Sequence, residues 1–206
     1  MSTTAVAMTP AAANTPAPTT PATNTAAAAN AKLGDRHLVL VGLMGTGKST
    51  VARRLARRLG RPLVDTDALV ESRAGRSVRD IFAESGEDGF RDLEAEVVRS
   101  VLQSATPSVV AGAGGIVLRA ENRLALTSSR AYVVWLRADP VVLARRVRGQ
   151  GHRPALDGDP LGRLMQMHTT REPLYREVAQ SVVDTETLDP EGVCNAVLTE
   201  VSTWNP

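Results

Sequence analysis

Leu38-Val39-Leu40-Val41-Gly42-Leu43-Met44-Gly45-Thr46-Gly47-Lys48-Ser49-Thr50-Val51 decides how the rest of the chain is read. The aliphatic run at its start predicts a buried strand, and Gly42 to Ser49 match the spacing G-x-x-x-x-G-K-[ST]. Beyond it, residues 50–59 place Val51, Leu55 and Leu59 on one helical face and Arg53, Arg54, Arg57 and Arg58 elsewhere, with Gly60 as the stop. Strand, glycine-rich turn and amphipathic helix are the context a phosphate cradle requires. The glycines let the backbone curl so that N–H groups point inward at phosphate oxygens, and the helix start adds the positive end of its dipole. In such a cradle Lys48 reaches the terminal phosphates and the Ser49 hydroxyl ligates Mg²⁺.

Working outward, short apolar runs at 38–41, 62–65, 108–111, 132–136 and 181–184 alternate with helical patterns at 50–59, 88–104, 139–148, 161–179 and 190–202. Alternation of this kind predicts an α/β fold of three layers, α/β/α, with a five-stranded parallel sheet between helices. Ligands in such folds sit at the carboxyl ends of the strands. There, after the second strand, stands Asp65-Thr66-Asp67. Residues i and i+2 of a strand face the same side, so both acids are expected beside the phosphate loop. One would support Mg²⁺ through its water shell and the other would accept a proton or hydrogen bond from a substrate hydroxyl. The competing reading is that these aspartates cap the next helix.

Composition narrows the remaining classes. With 206 residues, 43% hydrophobic, 22% charged and a net charge of +2, the chain suits one domain plus a tail. Its basic residues are scattered, which gives no reason to expect a nucleic-acid partner. Only Lys32 and Lys48 are lysines among 24 basic residues, so Lys48 carries weight that a lone arginine does not. The single Cys194 excludes an internal disulfide, and His37, His152 and His168 have no metal-ligand spacing. Residues 1–33 are rich in Ala, Thr and Pro and are expected to be a disordered tail, with the folded domain at 34–206. The tail lacks the pattern of a signal or transit peptide, and no apolar run approaches the roughly 20 residues that span a bilayer. A cytoplasmic location without a membrane partner is the expectation.

Taken jointly, the motifs resemble the shikimate kinases, a P-loop family related to the nucleoside-monophosphate kinases. The resemblance runs from about Leu38 to Val183. It includes the phosphate loop, Asp65-Thr66-Asp67, and Gly86-Glu87 followed by Phe90-Arg91 and Glu94. It continues through Gly114-Gly115, Arg153-Pro154 and Arg171-Glu172-Pro173-Leu174-Tyr175. The resemblance implies ATP-dependent phosphorylation of the 3-hydroxyl of shikimate, a step of chorismate and aromatic amino acid biosynthesis, by a monomer.

The same resemblance assigns roles. ATP would be held by Gly45, Thr46, Gly47, Lys48, Ser49, Thr50, Arg146 and Arg153, with Arg146 against the adenine. Asp67 would bind the shikimate hydroxyls and act as base, Asp65 would support Mg²⁺ beside Ser49, and Arg91 and Arg171 would grip the substrate carboxylate. Gly114 and Gly115 would let the backbone pass close to the substrate. Arg153, in a mobile lid at about 149–160, would join Lys48 and Asp67 as a catalytic residue. Phe90 at helical spacing also suits ordinary core, and Glu94 can orient Arg91 by an i, i+3 contact. The chain departs from the family pattern at Ala113, where a third glycine is usual. A Cβ there matters if the backbone needs positive φ or close ligand approach. Ala113 leaves room for another acceptor, such as gluconate or a cyclitol. A non-catalytic nucleotide- or shikimate-binding protein is the reading from a different class.

Overall fold

Strands β1 (His37–Val41), β2 (Leu63–Asp65), β3 (Val109–Ala111), β4 (Ala131–Arg137) and β5 (Ser181–Asp184) pair in parallel in the order β2-β3-β1-β4-β5. The structure is a computed structural model that describes residues 21–128, 130–148 and 158–205. The helices are α1 (Pro21–Leu33), α2 (Lys48–Leu59), α3 (Thr66–Ala74), α4 (Val78–Gln103), α5 (Ala120–Leu126), α6 (Pro140–Val147), α7 (Pro160–Val178) and α8 (Pro190–Thr203). Each strand expected from the sequence is present, with ends that differ by no more than one residue.

Strand alternation splits the core into two layers, because successive side chains point to opposite faces. Val39, Val41, Val133 and Trp135 face Val97, Val101, Leu126, Leu143 and Tyr175. Leu38, Leu40, Tyr132, Val134 and Leu136 face Leu55, Leu59, Val197 and Val201. From β1 the chain crosses to β2 on one side, and β4 lies on the other, so the order reverses beside β1. The crevice outside the carboxyl end of β1 is therefore the place for a ligand.

Local signals fix the helix starts. Asp139, Asp159 and Asp189 each precede a proline and cap a helix, accepting from the backbone N–H of Val141 (2.7 Å), Gly162 (2.9 Å) and Gly192 (2.7 Å). Gly60 closes α2 in the left-handed region, as its position predicts.

Two expectations need correction. Residues 21–33, assigned to a disordered tail, form α1. Alanine has the highest helix propensity, and Ala26, Ala29 and Leu33 are buried in the layer that contains α2 and α8. Arg61 ties down the end of this helix, donating from Nε to Asn30 Oδ1 (2.7 Å), from Nη2 to the Gly34 carbonyl (2.8 Å) and from Nη1 to the Arg36 carbonyl. Residues 1–20 lie outside the described residues. The helix expected at 88–104 starts at Val78, where Ser77 caps it, and is broken at Gly86 (φ 68°, ψ −172°). Only glycine visits that backbone region readily. Among the described residues no helix is long and apolar enough to cross a membrane.

Candidate active site

The phosphate loop leaves β1 at Gly42, where a Cβ would sit 2.3 Å from the Leu136 carbonyl oxygen of β4, so glycine is required. Thr46 is buried and pins the curl by donating to the Leu43 carbonyl at 2.8 Å. Gly47 turns the chain into α2 with φ 90°. Lys48 Nζ donates to the carbonyls of Gly42 (2.8 Å) and Leu43 (3.0 Å), which holds the ammonium over the curl.

On one side of the loop Gly45, Thr46, Gly47 and Thr50 line a cavity of about 200 Å³ with Arg146, Thr185 and Leu188. Arg146 is fixed there, with Nη1 donating to Thr185 Oγ1 at 3.1 Å and Nη2 to the carbonyls of Thr185 and Glu186. The wall supplied by Thr185 and Leu188 was missed by sequence reasoning. Its position just after the carboxyl end of β5 is the signal that could have found it.

On the other side, Ser49 Oγ donates to Asp65 Oδ2 at 2.9 Å. Asp65 Oδ1 accepts from the backbone N–H of Asp67 (3.2 Å) and Ala68 (3.4 Å). One carboxylate thus caps α3, as the competing reading expected, and also bonds Ser49 at the end of the phosphate loop. The shared-strand argument does not: β2 ends at Asp65 and Asp67 lies in the first turn of α3. Asp67 remains open to solvent in a crowded cleft. Loss of hydration there, then the charge of Asp65, push its carboxyl above the ordinary value, while Lys48 and Arg91 oppose that shift. An Asp65–Ser49 oxygen pair beside a phosphate cradle fits Mg²⁺, a hard cation that prefers oxygen donors.

Thr66, buried between the two acids, accepts from the Ala113 N–H at 2.8 Å and thereby fixes the turn at 113–115. No residue other than glycine has positive φ among those described, so Ala113 needs no special backbone freedom. Its methyl is buried, and the turn tolerates it.

The next two residues seat the arginines. A Cβ on Gly115 would lie 2.4 Å from both terminal nitrogens of Arg91, so the guanidinium lies against bare backbone. Arg91 is 8% exposed, and its Nη1 donates to Glu94 Oε1 (3.1 Å) and Oε2 (3.0 Å). Its Nε and Nη2 donate to Glu87 Oε1 at 3.3 and 3.0 Å. Glu94 is fully buried; burial pushes its carboxyl up and Arg91 pulls it down. Arg171 Nη1 donates to the Gly114 carbonyl at 3.0 Å. The Cβ direction of Gly114 points within 3.8 Å of Arg171 Nη1, the Gly42 carbonyl and the Met44 N–H. Phosphate loop, glycine turn and Arg171 therefore meet at one point, with Asp67 close enough to Lys48 and Arg91 to feel both charges. Arg153 and the expected lid as far as residue 157 lie outside the described residues.

Such a site can hold a phosphate chain and, next to it, a small carboxylated molecule. The sequence profile of the family described as shikimate kinase matches residues 44–202. A shikimate kinase of Symbiobacterium thermophilum is 53% identical over 73% of this chain and 87% of its own. One of Dechloromonas aromatica is 45% identical over 80% of this chain and 90% of its own. The solved structure of a shikimate kinase from Acinetobacter baumannii in complex with shikimate superposes with a TM-score of 0.73 at 33% identity, covering 84% of this chain and 94% of that one. This chain belongs to the shikimate kinase family.

Proposed function

We propose that the chain transfers the γ-phosphoryl group of ATP to the 3-hydroxyl of shikimate, giving shikimate 3-phosphate and ADP. One observation carries the reading: Gly114 is apposed at once to the phosphate loop, through Gly42 and Met44, and to Arg171. An acceptor held on that turn has its reacting hydroxyl beside the phosphates.

Phosphoryl transfer depends on positioning and charge neutralisation more than on covalent chemistry. Arg171 and Arg91 take the carboxylate, with Glu87 giving way on Arg91, whose Nε and Nη2 it occupies. Asp67 aligns the shikimate hydroxyls. As the 3-oxygen bonds to phosphorus and the bond to the ADP oxygen breaks, the hydroxyl proton passes to the Asp67 carboxylate. Lys48 moves from the Gly42 and Leu43 carbonyls onto the transferring oxygens, and Arg153 adds a second positive charge. Ser49 and, through water, Asp65 would hold Mg²⁺, which would supply neutralisation of the phosphate charge. Arg146 lies against the adenine in the cavity lined by Thr50 and Thr185. The protein works as a cytoplasmic monomer without nucleic-acid or membrane partners.

A steady-state assay of ADP release with Mg·ATP and a panel of acceptors tests this. Shikimate is the preferred acceptor over gluconate and cyclitols, and Lys48→Ala or Asp67→Asn loses at least about a hundredfold in kcat. Turnover of Asp67→Asn close to wild type, or a better acceptor without a carboxylate, would overturn the reading.

A further inference from the structure

The reaction described above uses neither the ring nor the hydroxyl of Tyr175, which is 1% exposed. Its ring stacks on Trp135 of β4, with centroids 5.8 Å apart and planes 26° from parallel. Its hydroxyl donates to the Gly114 carbonyl at 2.5 Å, the same oxygen that accepts from Arg171 Nη1 at 3.0 Å. Residues 171 and 175 are one helical turn apart on α7, so both side chains reach the glycine turn from one face. The central sheet, α7 and the turn at 113–115 are thus tied together at a single oxygen.

We infer that Tyr175 is a positioning residue for acceptor recognition, holding the Gly114 carbonyl so that Arg171 presents its guanidinium to the shikimate carboxylate. The inference rests on the proposed role of Arg171. An arginine side chain has considerable rotamer entropy to lose, and one hydrogen bond to a mobile loop carbonyl would fix it poorly. A carbonyl oxygen has two lone pairs. With one taken by a hydroxyl whose ring is locked in the core, the other becomes a fixed anchor for Nη1. The remaining N–H groups of the guanidinium then keep a set direction. Burial raises the phenol pKa, so the hydroxyl remains a donor at any working pH.

Packing alone would be served by phenylalanine, which separates the two roles. Tyr175→Phe is expected to raise KM for shikimate about tenfold while KM for ATP, saturated kcat and melting temperature stay close to wild type. Arg171→Ala raises the same KM, and adding Tyr175→Phe to it costs less than a further factor of about two, because the hydroxyl acts through the arginine. Full additivity of the two losses, or an unchanged KM in Tyr175→Phe while Arg171→Ala is impaired, overturns the inference and leaves the acceptor site standing. An unchanged KM in Arg171→Ala overturns both.

A second readout does not depend on the stability of the phenylalanine variant. The chain has only Tyr132 and Tyr175, so fluorotyrosine labelling gives two ¹⁹F signals, assigned with Tyr132→Phe. Shikimate shifts the Tyr175 signal and leaves that of Tyr132 in place; an unmoved Tyr175 signal at saturating shikimate overturns the inference.

Discussion

Arg91 occupies the space that a side chain on Gly115 would take. Both terminal nitrogens of the guanidinium lie 2.4 Å from where the Cβ would be. The glycine is thus fixed by its neighbour and not by φ, since its backbone is not in the left-handed region. Gly115→Ala must expel the guanidinium from its seat. Shikimate KM rises about tenfold or more, equivalent to ~1.4 kcal/mol, while ATP KM is unchanged. The melting temperature also falls, because Glu94 loses its partner. Wild-type acceptor kinetics in this variant would show that Arg91 does not act from this position.

The pH profile should carry the mark of Asp67. Loss of hydration and the adjacent Asp65 raise its pKa from the ordinary 3.8. The base form is required, so kcat/KM falls as pH drops through this raised value. The acid limb therefore lies above the ordinary aspartate value. For stability the sign is opposite: the folded state binds the proton more tightly than the unfolded chain. Asp67 thus disfavours folding increasingly as pH rises from 3.8 through the raised value. A kcat/KM profile flat down to pH 4 would remove Asp67 as the base.

A second titration belongs to His37, which is fully buried at the start of β1. Its Nδ1 accepts the Ser108 N–H at 3.2 Å and contacts Ser108 Oγ at 2.9 Å, so the proton sits on Nε2. Among the described residues Nε2 has no hydrogen-bond partner. Protonating Nδ1 would break the bond from the Ser108 N–H. Burial lowers the pKa from 6.5, Arg130 and Arg61 add to that, and the Ser104 carbonyl and Asp35 oppose it. The unfolded chain therefore takes up the proton first. Stability conferred by neutral His37 is complete above pH 6.5 and declines as pH falls toward the lowered value, by up to ~1.4 kcal/mol per pH unit. Urea unfolding from pH 7.5 to 5 measures this, and His37→Gln should have a shallower slope than wild type. Equal slopes would show that the ring is not the source.

Arg61 is the tie that holds α1 through Asn30, Gly34 and Arg36. Arg61→Ala should cost about 1–3 kcal/mol of stability. Amide exchange should speed up in 24–33 before the rest of the fold, with ATP and shikimate kinetics unchanged. Uniform loss of protection across the sheet would mean that α1 is not a separate unit.

The sheet was legible because buried parallel strands are short aliphatic runs and each site motif follows one of them. Arg91 and Arg171 were found only through the joint pattern, since in an arginine-rich chain neither stands out. Other features left little trace. The contact stripe of α1 is mostly alanine, which looks compositionally like a linker. The helical pattern expected from residue 88 begins beyond Gly86, and one glycine does not announce φ 68° inside a longer helix. Asp67 was placed beside the phosphate loop by a strand argument, and it arrives there through a helix turn instead. The convergence of Tyr175 and Arg171 on Gly114 joins residues 61 positions apart in sequence, and no local rule reports such a contact.

The docked α1 has a practical corollary for how this enzyme is produced. A version trimmed to begin at residue 34 would strip Ala26, Ala29 and Leu33 from the surface of α8 and α2. The apolar surface of α8 and α2 left without its cover would invite self-association, and clumping of such a preparation could be mistaken for a natural oligomer. Purification tags are best placed ahead of Pro21 or after the last helix.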